Sequence, residues 1–328
     1  MIKLDPVDRL EIHILVDNAT DSLSSVPRHV ELETSYLHRK GMRVLSGECI
    51  CCAAHGLSCL ITAHRGGSSH TVLFDTGPEA DTFERNSRRL GIDLGLVEAV
   101  VLSHGHWDHA GGMLRAIDLI RADRNNRDLP YYAHPGMFRT RGRQLPDGGV
   151  LPMADVPSVE QLTAHGARVV NTREPQNFLD GMFYLSGEIP RVTPFETGQP
   201  FHCVKTETGW EPDPWIMDER WMGVNVAGKG LVVFTGCSHA GVVNVLKDAR
   251  ATCPDVPLHC VLGGMHLSGQ TEKIIPDTVA ALRDFNLPFI AAGHCTGWRA
   301  MAALVNAFGD GIVTPTAVGK RFVFEGAA

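Results

Sequence analysis

The sequence predicts an α/β fold in which two layered sheets carry helices on their outer faces, and three observations support it. Paired apolar strands come early in the chain. Strand–helix units come late. Strand after strand ends in a short loop that holds a histidine or an acid. Hairpins build antiparallel sheet and βα units build parallel sheet, and each sheet needs something apolar against both faces.

Taken in order, residues 11–16 alternate as a strand with one buried face does. A polar stretch then runs to about residue 53. Residues 57–63 and 71–74 are apolar, β-branched runs separated by His64-Arg65-Gly66-Gly67-Ser68-Ser69, the signature of a hairpin. Asp75-Thr76-Gly77-Pro78 closes the second strand, and residues 79–90 have helical spacing. Residues 97–102 form a buried-type strand that feeds directly into Ser103-His104-Gly105-His106-Trp107-Asp108-His109. Gly111 and Gly112 then release the chain into an apolar helix over 113–121. The middle, 135–214, is rich in Pro, Gly and short strands, the composition of loops that cover a site. Order returns with a hairpin over 221–226 and 231–234, ended by Thr235-Gly236-Cys237-Ser238-His239. A helix to residue 250 precedes the strand 258–262, which ends in Gly263-Gly264-Met265-His266. A helix near 275–285 precedes the strand 288–292, which ends in Gly293-His294-Cys295-Thr296-Gly297. A last helix covers 299–308, and 321–324 is a closing strand. The chain, 1–328, reads as one domain with loop-rich insertions near 17–53 and 135–214.

Composition narrows the classes. The 328 residues are 44% hydrophobic and 20% charged, which fits a folded globular chain. The formal net charge of -7 argues against a nucleic-acid partner, because a phosphate-tracking surface needs a basic stripe. Arg139, Arg141 and Arg143 are the densest cationic run, explained equally by a solvated loop or a substrate anchor. Residues 1–6 show no apolar run before the first acid and proline, and no later stretch is long enough to span a bilayer, so neither a secretory leader nor a membrane is expected. Nine cysteines, an odd count without framework spacing, point to free thiols in a reducing cytoplasm. Cys49, Cys51 and Cys52 read as incidental thiols of a flexible loop, since no second pair has zinc-site spacing.

The chemistry concentrates in one loop. His104, His106, Asp108 and His109 place four ligand-type groups within six residues, enough for two adjacent ions, His104 and His106 on one and Asp108 and His109 on the other. Gly105 lets the loop fold tightly. A histidine-rich surface turn is the competing reading, and it fails because a buried strand feeds the loop directly. His239, His266 and His294 are ligand candidates because each ends an apolar strand beside a glycine. His13, His64, His70, His134 and His259 lack that setting. Asp75 suits a carboxylate that accepts hydrogen bonds from the metal loop's backbone or an imidazole.

Ser103-His104-Gly105-His106-Trp107-Asp108-His109-Ala110-Gly111-Gly112 resembles the H-x-H-x-D-H signature of the metallo-β-lactamase superfamily, and Leu73-Phe74-Asp75-Thr76-Gly77 resembles its first motif, whose acid orients the metal loop. Further segments are similar to one branch, that of the archaeal dihydropterin-methyl-ribofuranosylaminobenzene-phosphate synthases and related bacterial proteins. These are His55-Gly56-Leu57-Ser58, Arg85-Asn86, Leu90-Gly91-Ile92-Asp93, Thr235-Gly236-Cys237-Ser238-His239-Ala240-Gly241, Gly263-Gly264-Met265-His266-Leu267 and His294-Cys295-Thr296-Gly297. The resemblance, from about Ile12 to the C-terminus, implies the αββα four-layer sandwich of that superfamily. Where the superfamily's third-motif histidine is usual, this chain has Asp218-Glu219-Arg220, and its bridging Asp position falls near Cys237. His239 is read as supplying the missing imidazole, with Asp218 or Cys237 left as the bridging or supporting group. Either His266 or His294 is the last ligand, and the other hydrogen-bonds substrate or a metal ligand.

The leading expectation is therefore a hydrolase using metal-activated water on a small-molecule ester, lactone or phosphoester, with Asp108 and His294 as candidate catalytic side chains. Two divalent ions are expected, zinc first and iron or manganese as alternatives that mixed N/O ligands also suit. The branch implies a second reading, a transferase joining a pterin methyl-alcohol ester to an aminobenzene ribofuranosyl phosphate. A metal-binding scaffold without turnover is the non-enzymatic class. The two insertions are expected to frame the pocket, with Trp107, Phe138, Trp210 and Trp215 as flat surface for a ring-bearing substrate.

Overall fold

Period-two alternation sorts the strands into layers. In Ser68–Phe74, Val72 and Phe74 face one apolar cluster and Leu73 the opposite one; in Gly230–Thr235, Val232 and Phe234 face inward and Val233 outward. Both faces of each strand are thus apolar, as strands covered on two sides require. The structure, a computed structural model, describes residues 4–123 and 128–327; residues 1–3 of the N-terminal reading lie outside the described residues.

One sheet has eight strands, in the order Val30–Glu31, Arg321–Glu325, Arg9–Val16, Ser58–Arg65, Ser68–Phe74, Val97–Val101, Pro130–Ala133 and Arg168–Asn171. A second has six: Gln176–Phe178, Phe183–Leu185, Met222–Val226, Gly230–Thr235, Leu258–Gly264 and Phe289–Gly293. Between them lies a core that includes Ile12, Ile61, Val72 and Phe74 from the first sheet and Val224, Phe234, Leu262 and Phe289 from the second. Helices Ala80–Arg89 and Met113–Asp123 cover the outer face of the first sheet. Val242–Thr252, Ile275–Leu282 and Trp298–Phe308 cover that of the second. The result is an αββα four-layer sandwich: two layered sheets with outer helices, as the early strand pairs and late βα units predicted, in the arrangement the resemblance implied. No helix among the described residues is long and apolar enough to cross a membrane.

The segment 135–214, read as loops with short strands, organises those strands into a sheet the sequence did not predict. Four short strands, Gly209–Pro212, His202–Thr206, Arg141–Gln144 and Val150–Pro152, form a small antiparallel sheet of their own. A strand such as Arg141-Gly142-Arg143-Gln144 has no apolar alternation to detect, because this sheet has little core of its own to face. Within 17–53 the chain forms the helix Glu33–Arg39. Cys51 and Cys52 are tied down there: their amides donate to Glu33 Oε1 and, at 3.0 Å, to Asn86 Oδ1. All nine cysteines are free thiols.

The parallel strands decide where the site forms. Ser68–Phe74 pairs parallel with Val97–Val101, and Gly230–Thr235, Leu258–Gly264 and Phe289–Gly293 are mutually parallel neighbours. Their carboxyl ends deliver Asp75, the His104–His109 loop, Cys237 to His239, His266 and His294 to one end of the sandwich. Asp75, Ser238, His266 and His294 all hold positive φ, between 41° and 58°. Such backbone costs on the order of 1 kcal/mol or more per residue and persists where the surroundings enforce it.

Candidate metal centre

Four imidazoles in the centre, His104, His106, His109 and His294, are held by partners that fix which nitrogen bears the proton. Asp75 accepts from the Ser103 amide (2.8 Å) and from Ser103 Oγ (2.7 Å), so Ser103 Oγ in turn accepts from His104 Nδ1 (3.0 Å). That leaves His104 Nε2 with a free lone pair. His202 Nδ1 can only donate to the Asp213 carbonyl (3.0 Å), so His202 Nε2 accepts from His106 Nε2 (2.8 Å). The lone pair of His106 therefore sits on Nδ1. His104 Nε2 lies 2.9 Å from His106 Nδ1 and 3.1 Å from His239 Nε2. Two lone pairs at such a distance repel unless a cation lies between them. Ligand nitrogens on one tetrahedral zinc stand about 3.4 Å apart, close to this spacing. The residues fit a metal ion.

A second donor group lies beside the first. His109 Nδ1 donates to Asp75 Oδ2 at 2.7 Å, and His294 Nδ1 to Asn18 Oδ1 at 2.9 Å, so both rings turn Nε2 inward. Those two nitrogens are 3.2 Å apart, and each is 3.2 Å from Cys237 Sγ. Asp108 Oδ2 completes the set, 3.4 Å from His294 Nε2 and 3.7 Å from His109 Nε2. Asp108, His109, Cys237 and His294 thus form one potential ligand group, and His104, His106 and His239 another; all seven are buried.

The electrostatics of the two groups differ. Burial, followed by neighbouring positive groups, holds His104, His106 and His239 well below the ordinary histidine value, so the rings are neutral and able to ligate. Burial also acts to lower His109 and His294 but is outweighed. Asp108 and then Asp75 raise His109, and Cys295 together with Asp108 raises His294 to about 10. Burial would raise Asp108, yet His109 and His294 bring it down to about 2. This second pocket favours positive charge, and a divalent ion satisfies the same field.

The remaining sequence candidates take supporting positions. Asp75 reaches His109 and Ser103 as described. Asp218 Oδ2 accepts from the Gly105 amide (2.8 Å) and pairs with buried Arg141, whose Nη1 also donates to the Gly105 carbonyl (2.9 Å). The metal loop is thus clamped at both polar groups of one peptide residue. A Cβ at Gly105 would meet Met137 O and Arg141 Nη1 at 2.4 Å, so a close approach, rather than a left-handed turn, requires glycine there. His266 belongs to neither group; its ring is 4.5 Å from that of His239, and with Cys295 it forms a third cluster that shares Cys237 with the second group.

Several residues carry functions that sequence reasoning did not assign. Glu219, fully buried, accepts from the amides of His239 (2.7 Å) and Ala240 (2.6 Å) and so holds the loop that delivers His239. Asn18 orients His294, and its Nδ2 donates to His55 Nδ1 (3.0 Å). His202 supports His106. The advance signals were the quoted segments that hold Glu219, His55 and Cys295; Asn18 and His202 sit in segments without periodicity. Asp75→Asn should lower metal affinity by about 10- to 100-fold, because one amide cannot accept from three donors. Unchanged affinity in a chelator competition would remove the role assigned to Asp75.

A cavity of ≈ 840 Å³ opens over both groups, lined by Trp107, Asp108, Arg143, Leu151, Phe201, His202 and Gln270 among others. Trp107 is the one of the four expected aromatics among its lining residues, and Asn18 is its contribution from 17–53; the 135–214 segment supplies much of the wall.

An αββα sandwich with a three-imidazole group beside an imidazole, carboxylate and thiol group at the carboxyl ends of its parallel strands defines a metal-dependent enzyme class. The family model described as the metallo-beta-lactamase superfamily matches residues 56–147. The chain is 31% identical over 248 residues to the 7,8-dihydropterin-6-methyl-4-(beta-D-ribofuranosyl)-aminobenzene-5'-phosphate synthase of Methanocaldococcus jannaschii, covering 75% of this chain and 82% of that one. An uncharacterized protein of the same organism is 28% identical over 77% of this chain and 88% of its own length. A crystal structure of a metal-dependent hydrolase of the beta-lactamase superfamily superimposes with a TM-score of 0.70 at 25% identity, over 97% of this chain and all of that one. The chain belongs to the metallo-β-lactamase superfamily.

Proposed function

We propose that this enzyme is a dinuclear metal hydrolase, zinc the expected ion, acting on a small-molecule ester, lactone or phosphoester. The observation that carries the reading is the pair of adjacent donor groups under one cavity: His104, His106 and His239 for one ion, and Asp108, His109 and His294 with Cys237 for the other. Bound divalent ions supply Lewis-acid polarisation and activation of water near neutral pH. Asp108, ionised across the working range, accepts a hydrogen bond from the nucleophile and holds it toward the cavity. His55, at the cavity mouth with Nε2 3.5 Å from Asp108 Oδ2, presents an N–H to the substrate side. Asn18 and Asp75 keep His294 and His109 turned inward, and Trp107, Leu151 and Phe201 exclude water around an apolar substrate body.

The similarity to the dihydropterin synthase favours a second reading, transfer to an aromatic acceptor at the same centre. The test combines metal analysis by plasma mass spectrometry with assays on ester, lactone and phosphoester panels and on the dihydropterin substrate pair. Chelator-sensitive hydrolysis with about two ions per chain supports the first reading. Condensation of the pterin pair without hydrolysis supports the second. Protein that binds no divalent ion overturns both.

A further inference from the structure

The small sheet sets Arg141 and Arg143 on one face of a strand, because residues two apart point the same way. That face is fixed by pairing. Arg143 lies directly opposite His202 on one neighbour and opposite Leu151 on the other. Directly opposed residues share a face, and His202 reaches His106 at 2.8 Å. Arg141, Arg143, His202 and Leu151 therefore all present toward the metal loop.

The two arginines then differ in what meets them. Arg141 is buried and consumed by Asp218 and Gly105. Arg143 is exposed and forms no salt bridge among the described residues, and it is the only Lys or Arg among the residues lining the large cavity. Around it the wall is apolar: Leu151 is 58% and Phe201 39% exposed, with Pro152 and Trp107 beside the same space. A guanidinium without a carboxylate partner, beside an apolar wall, is suited to receive an oxyanion by two parallel N–H bonds.

We propose that Arg143 anchors an anionic oxygen group of the substrate, a carboxylate or a phosphate, on a molecule whose apolar body lies against Leu151 and Phe201. This rests on the reading of the cavity as a metal-dependent active site and names the substrate class it takes. Arg143 is a specificity-determining contact: it stands opposite His202, one strand spacing of about 5 Å away, and belongs to neither donor group.

Titration calorimetry on metal-loaded protein tests this with three probes of one size: phenylphosphonate, benzoate and neutral benzyl alcohol. Arg143→Gln should weaken binding of at least one anion by about tenfold to a hundredfold and leave benzyl alcohol unchanged. Arg143→Lys should recover part of the loss, as a point charge without the fork. A loss for phosphonate alone assigns a phosphoryl group, and a loss for benzoate alone assigns a carboxylate. Equal anion affinity in wild type and Arg143→Gln overturns the assignment. Metal content measured on the same samples separates the two levels, since wild type without bound ions counts against the active-site reading and not against the anion contact.

Discussion

Replacing His239 with alanine is expected to empty the first donor group and to lower turnover by about a thousandfold or more. The triad has three nitrogens, and two imidazoles from one loop hold an ion far more weakly than three from two sheets. His239 is the member the second sheet contributes, 3.1 Å from His104 Nε2 and held through its amide by Glu219. Plasma mass spectrometry should show one ion lost and the other retained, because Asp108, His109 and His294 are untouched. Cys237→Ser, assayed alongside, should keep measurable metal and part of the activity. Cys237 is buried, and burial followed by Cys295 raises its thiol well above the ordinary value, which is unsuited to a nucleophile. Full metal occupancy in His239→Ala, or a covalent adduct trapped on Cys237, would overturn the assignment.

Asp218→Ala should destabilise the fold by about 3 kcal/mol and weaken metal binding as well. Arg141 is 3% exposed and Asp218 2%, so removing the carboxylate strands a buried guanidinium and frees the Gly105 amide. Burial acts to raise Asp218, but Arg141 outweighs it and holds the carboxyl below its usual range. A depressed folded value means the contribution is present above the ordinary carboxylate pKa of about 3.9 and is lost as pH falls through the folded value. Denaturant titrations should therefore show wild type and variant converging in strong acid. The double variant Asp218→Leu with Arg141→Met should recover stability without recovering metal affinity, because it restores packing but not the clamp on Gly105. Stability in Asp218→Ala equal to wild type would show that the pair contributes nothing.

What the sequence by itself determined is local. Strand pairs early in the chain and strand–helix units late in it predicted two layered sheets with outer helices, because which face of a strand is buried is written in successive residues. The loop from Ser103 to His109 was legible for the same reason: its ligand-type groups are neighbours in the chain, so their spacing alone restricts what they can hold. Tertiary structure decided how donors separated along the chain combine. His239 meets His104 across 135 residues, and His294 meets His109 across 185. No local pattern states that His294 joins His109 and Asp108 while His266 sits with Cys237 and Cys295; that depends on which strand ends abut and on Asn18 holding one ring. The fates of Arg141 and Arg143 were equally invisible. They are adjacent cations in one polar strand, and only the approach of Asp218 to one of them, and the open cavity in front of the other, makes the first a buried clamp and leaves the second free to meet a ligand.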